Sequence, residues 1–244
     1  MPTLTPAEED ALVRLKAQGS QGHFDSFVFV TRDPAGRAFR LEITTLRREI
    51  GRRDTVIEVC GLATGPDGDP VAIRRVDTIG EARIEPGCLY VRVGETELSW
   101  GRTRGTLEDP ASGRRLAWEL AFETEPEGVR HRATGTQDGV VSPLVDTRVS
   151  GTVEIDGTTI SLDGAPGSLH HTWGPRRPEA WTRAHCNLWS GSEELAFEGV
   201  HEATRGRLGQ GSRTSLHLRM RGERLTLQGG WGPGRVRSEG DGLR

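Results

Sequence analysis

Lysine is nearly absent from this chain. Lys16 is the only one among 32 basic residues in 244, and the others are all arginine. Acidic residues number 35, so the formal net charge is −3 at pH 7. The paired arginines (47–48, 52–53, 74–75, 114–115, 176–177) are scattered among acids. That pattern excludes a nucleic-acid binder held by bulk charge. Cysteine is scarce as well. Cys60, Cys88 and Cys186 are odd in number, far apart and without C-x-x-C spacing. This rules out a disulfide framework and a cysteine-rich zinc centre, and it points to a reducing compartment. The three thiols read as small buried hydrophobes. No run of about 18 apolar residues exists to cross a membrane as a helix. No apolar h-region of a secretory signal opens the chain. The expected location is therefore cytoplasmic. G-x-x-x-x-G-K and G-x-S-x-G are both missing, which excludes a phosphate-cradling loop and a serine-hydrolase elbow.

Glycine, by contrast, is abundant at 33 residues, about twice the ordinary ~7%. Together with the length, this suggests one large or two small β domains rich in turns. Thr5-Pro6-Ala7-Glu8 predicts a helix start, with Thr5 as cap, Pro6 at the first helical position and Glu8 closing a capping box. Leu12, Val13 and Leu15 give that helix a short apolar face ahead of Gly19. After it, period 2 takes over. Phe39, Leu41 and Ile43 alternate with polar residues, as do Leu116, Trp118, Leu120 and Phe122, and then Leu216, Leu218 and Met220. Each run predicts an antiparallel strand with one buried face. Asp33-Pro34-Ala35-Gly36, residues 65–70, residues 109–113, Asp156-Gly157 and Asp163-Gly164 read as turns. Roughly 14 strand candidates follow at the spacing of sandwiches and barrels. The polar stretch Glu125–Val145 reads as a long crossing segment, and residues 232–244 as a flexible tail.

Residues 148–189 carry the chemistry. A hairpin of the form G-x-V-x-I-x-G (Gly151 to Gly157) leads into G-x-x-x-H-x-W-G (Gly167, His171, Trp173, Gly174). Pro175–Glu179 breaks the pattern. A strand then places Trp181, Arg183, His185, Asn187 and Trp189 on one face, and Ala184, Cys186 and Leu188 on a core face. Two tryptophans flanking Arg, His and Asn suit a ligand cavity with apolar walls and a few placed polar groups. A face packed between domains is the alternative. In the next strand, Phe197 and His201 share one face and Glu198 and Glu202 the other.

These motifs resemble the lipocalin-like proteins that include carotenoid 1,2-hydratase, tocopherol cyclase and lipocalin-like Diels–Alderases. The resemblance covers Gly151 to Trp189 and rests on His171, Trp173 and Gly174. It implies an all-β fold of two packed lipocalin-like barrel domains after a short helix. The expected layout is a helical segment over 1–20 and a first β domain over 21–165. A second, smaller or incomplete domain carrying the H-x-W-G motif covers 166–231, and the tail is 232–244. Hydratase-type members carry an aspartate where this chain has His170.

The resemblance implies an apolar small-molecule ligand (a polyketide, terpenoid or lipid-like compound) and its cyclisation, isomerisation or hydration without a cofactor. His171, Arg183 and His185 are the candidate catalytic residues, and Trp173, Trp181, Asn187, Trp189, Phe197 and His201 the candidate ligand contacts. His171, Trp173 and Gly174 also admit a purely structural reading, as a sheet bridge, a barrel plug and a turn. No metal is expected, because His170 with His171, and His185 with Cys186, point to opposite faces of a strand. The expected partners are the ligand and a second copy in a homodimer, with no nucleic acid and no membrane insertion. A non-catalytic carrier of the same fold and a carbohydrate-binding β-sandwich are the alternatives.

Overall fold

The N-terminal helix starts where its caps predict. In the computed structural model, Thr5 Oγ1 accepts from the Glu8 amide and Glu8 Oε2 accepts from the Thr5 amide at 2.7 Å. The structure describes residues 4–14, 22–47, 55–65, 70–85, 87–125, 128–133, 138–175, 180–189, 195–206, 209–221, 223–230 and 232–239. The helix itself, α1 (Pro6–Asp10), is a single turn. Leu15 and Gly19, part of the expected helix, lie outside the described residues, as do Pro66–Asp69 and Arg176–Glu179.

The chain divides into two units, Met1–Arg176 and Arg177–Arg244. In the first, β1 (His23–Arg32), β2 (Ala38–Arg47), β3 (Thr55–Thr64) and β4 (Pro70–Thr78) form an antiparallel meander. The strands β5 (Ala82–Ile84), β6 (Tyr90–Val93), β7 (Thr96–Ser99), β8 (Arg102–Asp109) and β9 (Arg114–Phe122) form another. They are joined by β11 (Gly139–Ile155) and β12 (Thr158–Gly174), giving the order β4-β3-β2-β1-β12-β11-β9-β8-β7-β6-β5. The sheet coils until β4 packs across β8 and β9, and Arg75 Nη2 donates to the Val93 carbonyl at 2.9 Å across the gap. The result is a near-closed antiparallel barrel.

Alternation decides what fills it. Phe39, Leu41 and Ile43 point inward from β2, and Leu116, Trp118, Leu120 and Phe122 from β9. Phe29 meets Phe122 at 4.9 Å between ring centroids, and Phe39 meets Trp118 at 5.2 Å. The Trp118 indole N–H donates to Thr103 Oγ1 at 3.0 Å, so its one polar atom is satisfied. Ala7 and Ala11 are fully buried, and Ala11 joins the core, so α1 lies against the barrel.

The β11–β12 hairpin turns at Asp156 (φ 50°) and Gly157 (φ 86°). Both residues adopt the positive φ of a type I′ turn, as their sequence predicts. Asp163-Gly164 makes no turn. It lies inside β12, where Gly164 (φ 62°) accompanies a register shift against β11 between Val149 and Gly151. The same backbone freedom that closes a hairpin also builds a bulge. Glu125–Val145 is not a crossing segment either. Within it, β10 (Val129–Ala133) pairs with the start of β11.

The second unit is a five-stranded antiparallel sheet in chain order. Its strands are β13 (Ala180–Cys186), β14 (Leu195–Gly206), β15 (Gly209–Met220), β16 (Glu223–Gly230) and β17 (Gly232–Glu239). Residues 232–239 of the segment read as a tail thus pair with β16 as a strand. The H-x-W-G motif, expected in the second domain, lies in the first unit at the end of β12. That strand runs through position 165 without a break, because the long hairpin continues past its bulge. Among the described residues no helix is long and apolar enough to cross a membrane.

Candidate functional site

Two groups of polar residues stand out, one in each unit. The first is built on the end of β12, between β1 and β11. His171 faces Phe27 of β1, and the rings stack at 4.1 Å with 11° between planes. Its Nδ1–H donates to the Asp10 carbonyl at 2.6 Å, and its Nε2 meets Asp25 Oδ1 at 2.8 Å. A carbonyl can only accept, so Nδ1 carries a hydrogen. The Arg14 amide donates to the other Asp25 oxygen at 2.5 Å. Arg130 of β10 holds both oxygens of the Asp10 carboxylate, at 2.9 and 2.7 Å. That hydrogen bond raises the Arg130 pKa above the ordinary arginine value, against the opposing cost of burial.

Trp173 is 1% exposed. It tilts against His171 at 4.5 Å and carries the Arg14 guanidinium 5.5 Å from its ring centre. Its cross-strand partner is Gly139. A Cβ there would meet the indole at 2.2 Å, so only glycine admits the ring. His170 points the opposite way, with Nδ1 bonded to Ser142 Oγ at 3.0 Å and Nε2 to Ser168 Oγ at 3.1 Å. His171 and Trp173 are therefore brought together in a buried network that ties α1 to the sheet, in which both His171 nitrogens are engaged while the Trp173 indole N–H has no hydrogen-bond partner.

The second group lies on one face of the five-stranded sheet. Register places Arg183 beside Val200, and His185 beside Glu198 and then His217. Glu198 is fully buried, and Arg183 Nε stands 3.5 Å from its Oε1. His185 and Glu198 offer donor atoms within 4.8 Å of each other, a pair that supplies half of the ligands a tetrahedral zinc site takes. His217 is held by Ser215 Oγ at 3.0 Å and Thr226 Oγ1 at 2.9 Å. Glu202, next to Trp181 in the register, is buried as well.

The other expected residues separate. Trp181 shares the Arg183 face but is 54% exposed. The strand stops at Cys186, so Asn187 and Trp189 lie beyond its alternation, and Trp189 is 39% exposed. Phe197 and His201 sit on the opposite face, beside Cys186 and Thr182. His201 Nδ1 bonds Thr214 Oγ1 there at 2.8 Å. Ala184, Cys186 and Leu188 form no core face, since Ala184 and Leu188 are exposed and Cys186 is half-buried. Parity correctly separated Glu198 and Glu202 from Phe197 and His201. What it did not reveal was that the glutamate face, and not the phenylalanine face, is the buried one.

No protein-family model matches the sequence, and no curated protein matches it. Solved structures do. CghA, determined with Sch210972, superimposes with a TM-score of 0.51 at 9% identity, over 83% of this chain and 59% of CghA. This fold is lipocalin-like. The lipocalin-like chain also aligns with a candidate AttH from Nitrosomonas europaea. There the TM-score is 0.48 at 13% identity, over 85% of this chain and 79% of that one. With kievitone hydratase from Nectria haematococca the TM-score is 0.47 at 10% identity, over 92% and 82%.

Proposed function

We propose that this lipocalin-like protein binds an apolar small molecule of polyketide, terpenoid or lipid type and catalyses its isomerisation, cyclisation or hydration without a redox cofactor. The observation that carries the reading is Glu198, a fully buried carboxylate beside Arg183 and His185. A buried carboxylate is costly unless it is paired, and such groups concentrate where protons are moved. In this reading Glu198 accepts a proton from an activated C–H of the ligand and returns it to another carbon. The double bond shifts and no other atom is exchanged. Arg183 holds the charge of Glu198, and His185 relays the proton. His171, whose ring nitrogens are both engaged by Asp10 and Asp25, takes no part in the proton transfer.

Native mass spectrometry of the protein purified from a lipid-rich extract tests this reading, with Glu198→Gln alongside. The expected result is a bound apolar compound in both proteins, converted on incubation by the wild type and at least 100-fold more slowly by the variant. An empty protein that binds no hydrophobic dye would sink the reading. So would undiminished conversion by the variant. The exposed Trp181 and Trp189 favour one second reading, a carbohydrate-binding module. Binding to a glycan array that is lost in Trp181→Ala would establish it.

A further inference from the structure

The wall of the first unit opens where β7 leaves β8. The two strands pair only at Glu97–Arg104, Leu98–Thr103 and Ser99–Arg102. β7 begins at Thr96, just after a turn at Gly94 (φ 54°), so the far half of β8 runs on without it. A cleft of about 470 Å³ lies there, within the range of roughly 300–1,000 Å³ typical of small-molecule sites. Every residue that lines it belongs to Met1–Arg176. Its floor is made of short side chains. Thr106 and Ala117 face each other between the Arg104–Glu119 and Glu108–Arg115 rows. Beside them, a Cβ at Gly105 would come within 2.7 Å of Trp118, so the missing side chain leaves the indole edge at the back of the cleft.

We infer that this cleft binds a neutral polyhydroxylated molecule, a short saccharide. Its rim is charged, but the charges are matched. Glu97 pairs with Arg104 at 3.1 Å, Glu119 with Arg102 at 2.7 Å, and Glu154 with Arg115. Arg92 and Glu95 add one charge of each sign. The rim therefore offers no net field to draw in an ion, and a metal cation would find the carboxylates already held by arginine. What it does offer is unused hydrogen-bonding capacity. Glu97 is only 9% exposed, and its Oε2 meets Arg104 and, at 3.5 Å, the Tyr90 hydroxyl. Its Oε1 bonds nothing among the described residues, and neither do the hydroxyls of Thr106, Thr152 and Thr159. A carboxylate so nearly buried calls for donors at both oxygens. Glu97 can only accept, Arg92 can only donate, and the threonines do both. Adjacent hydroxyls of a sugar present the same mixture, and its C–H face suits Ala117 and the Trp118 edge. An apolar ligand would leave all of these polar groups unanswered.

Titration calorimetry of the full chain with a panel of neutral mono-, di- and trisaccharides tests this, with sulfated and amino saccharides of the same size alongside. The wild type should bind at least one neutral member with a dissociation constant of about 1 mM or tighter. Ala117→Leu fills the floor and should abolish that binding. Glu97→Gln keeps the shape, removes the carboxylate and should weaken binding about tenfold. Thr152→Arg, at an exposed position on the rim, closes the cleft without touching the core and should act in the same direction. Circular dichroism and melting establish that each variant is folded. A wild type that binds no neutral saccharide up to about 10 mM overturns the inference. So does tighter binding of the sulfated or amino saccharides, or binding that survives Ala117→Leu and Thr152→Arg unchanged. Sugar binding lost in Trp181→Ala, but not in these variants, would assign it to the second unit and overturn the inference too.

Discussion

His171 and Asp25 meet at 2.8 Å, although they stand 146 residues apart in sequence. Both side chains are almost completely shielded from solvent. Such a pair stabilises only as a pair, because each partner alone is a buried polar group without compensation. His171→Ala and Asp25→Asn are each expected to lower the unfolding free energy by about 3 kcal/mol. The double variant should lose much less than the sum of the two. Urea unfolding of the four proteins checks this, and strict additivity would show that the two residues act independently.

Gly139→Ala would push a methyl group into the Trp173 ring. The ring is boxed in by His171 and Arg14, so it has little room to retreat. Overpacking of this kind costs about 1–3 kcal/mol. Denaturant midpoints should fall accordingly. The substitution should also alter the Trp173 contribution to fluorescence, isolated by difference from Trp173→Phe.

Asp156 gives a pH dependence of known sign. Its carboxyl is held below the ordinary value, chiefly by the hydrogen bond from the Arg115 amide and further by Arg114. A group depressed in the folded state contributes stability that is fully present above its unfolded pKa, near ~4, and is lost as pH falls through the folded value. Asp156→Asn should therefore melt below the wild type at pH 6, and the two melting temperatures should converge as pH drops below about 4. A gap that persists undiminished at pH 2 would contradict this.

Cys60 provides a chemical test. Burial raises its thiol pKa, and the carboxylates of Glu42 and Glu58 raise it further. Its alkylation by iodoacetamide at pH 8 should be several-fold slower than that of free cysteine, because less thiolate is present. Glu42→Gln should speed it. Peptide mass spectrometry over time gives the rates.

The barrel was legible because alternation is a strong signal wherever one face is buried. Phe39, Leu41, Ile43 and the Leu116–Phe122 series all point where period 2 sends them. The capping box of α1 and the Asp156-Gly157 turn were equally direct, since each rests on local geometry. The candidate site was harder to read. Asp25 and Asp10 reach His171 from distant segments, and no local pattern announces such a meeting. Glu198 was visible only as the polar member of an alternating strand, and polar members normally face water. The rhythm of β15 likewise marked Leu216, Leu218 and Met220 as one face. It could not reveal that this apolar face would stay half-open while its polar reverse is buried.

The pairing of β1 with β12 sets the order in which the first unit can assemble. β1 finds its β2 neighbour within a short meander, but its other edge is completed only by β12, residues 158–174. During synthesis the β1–β4 meander, complete at Thr78, therefore waits with a bare strand edge until β12 (Thr158–Gly174) has been made. Closure by such a distant partner is slow, and the exposed edge is open to wrong pairings in the meantime. α1 cannot be held by His171 until β12 has arrived, so the N-terminal turn, made first, is among the last elements to be locked in place.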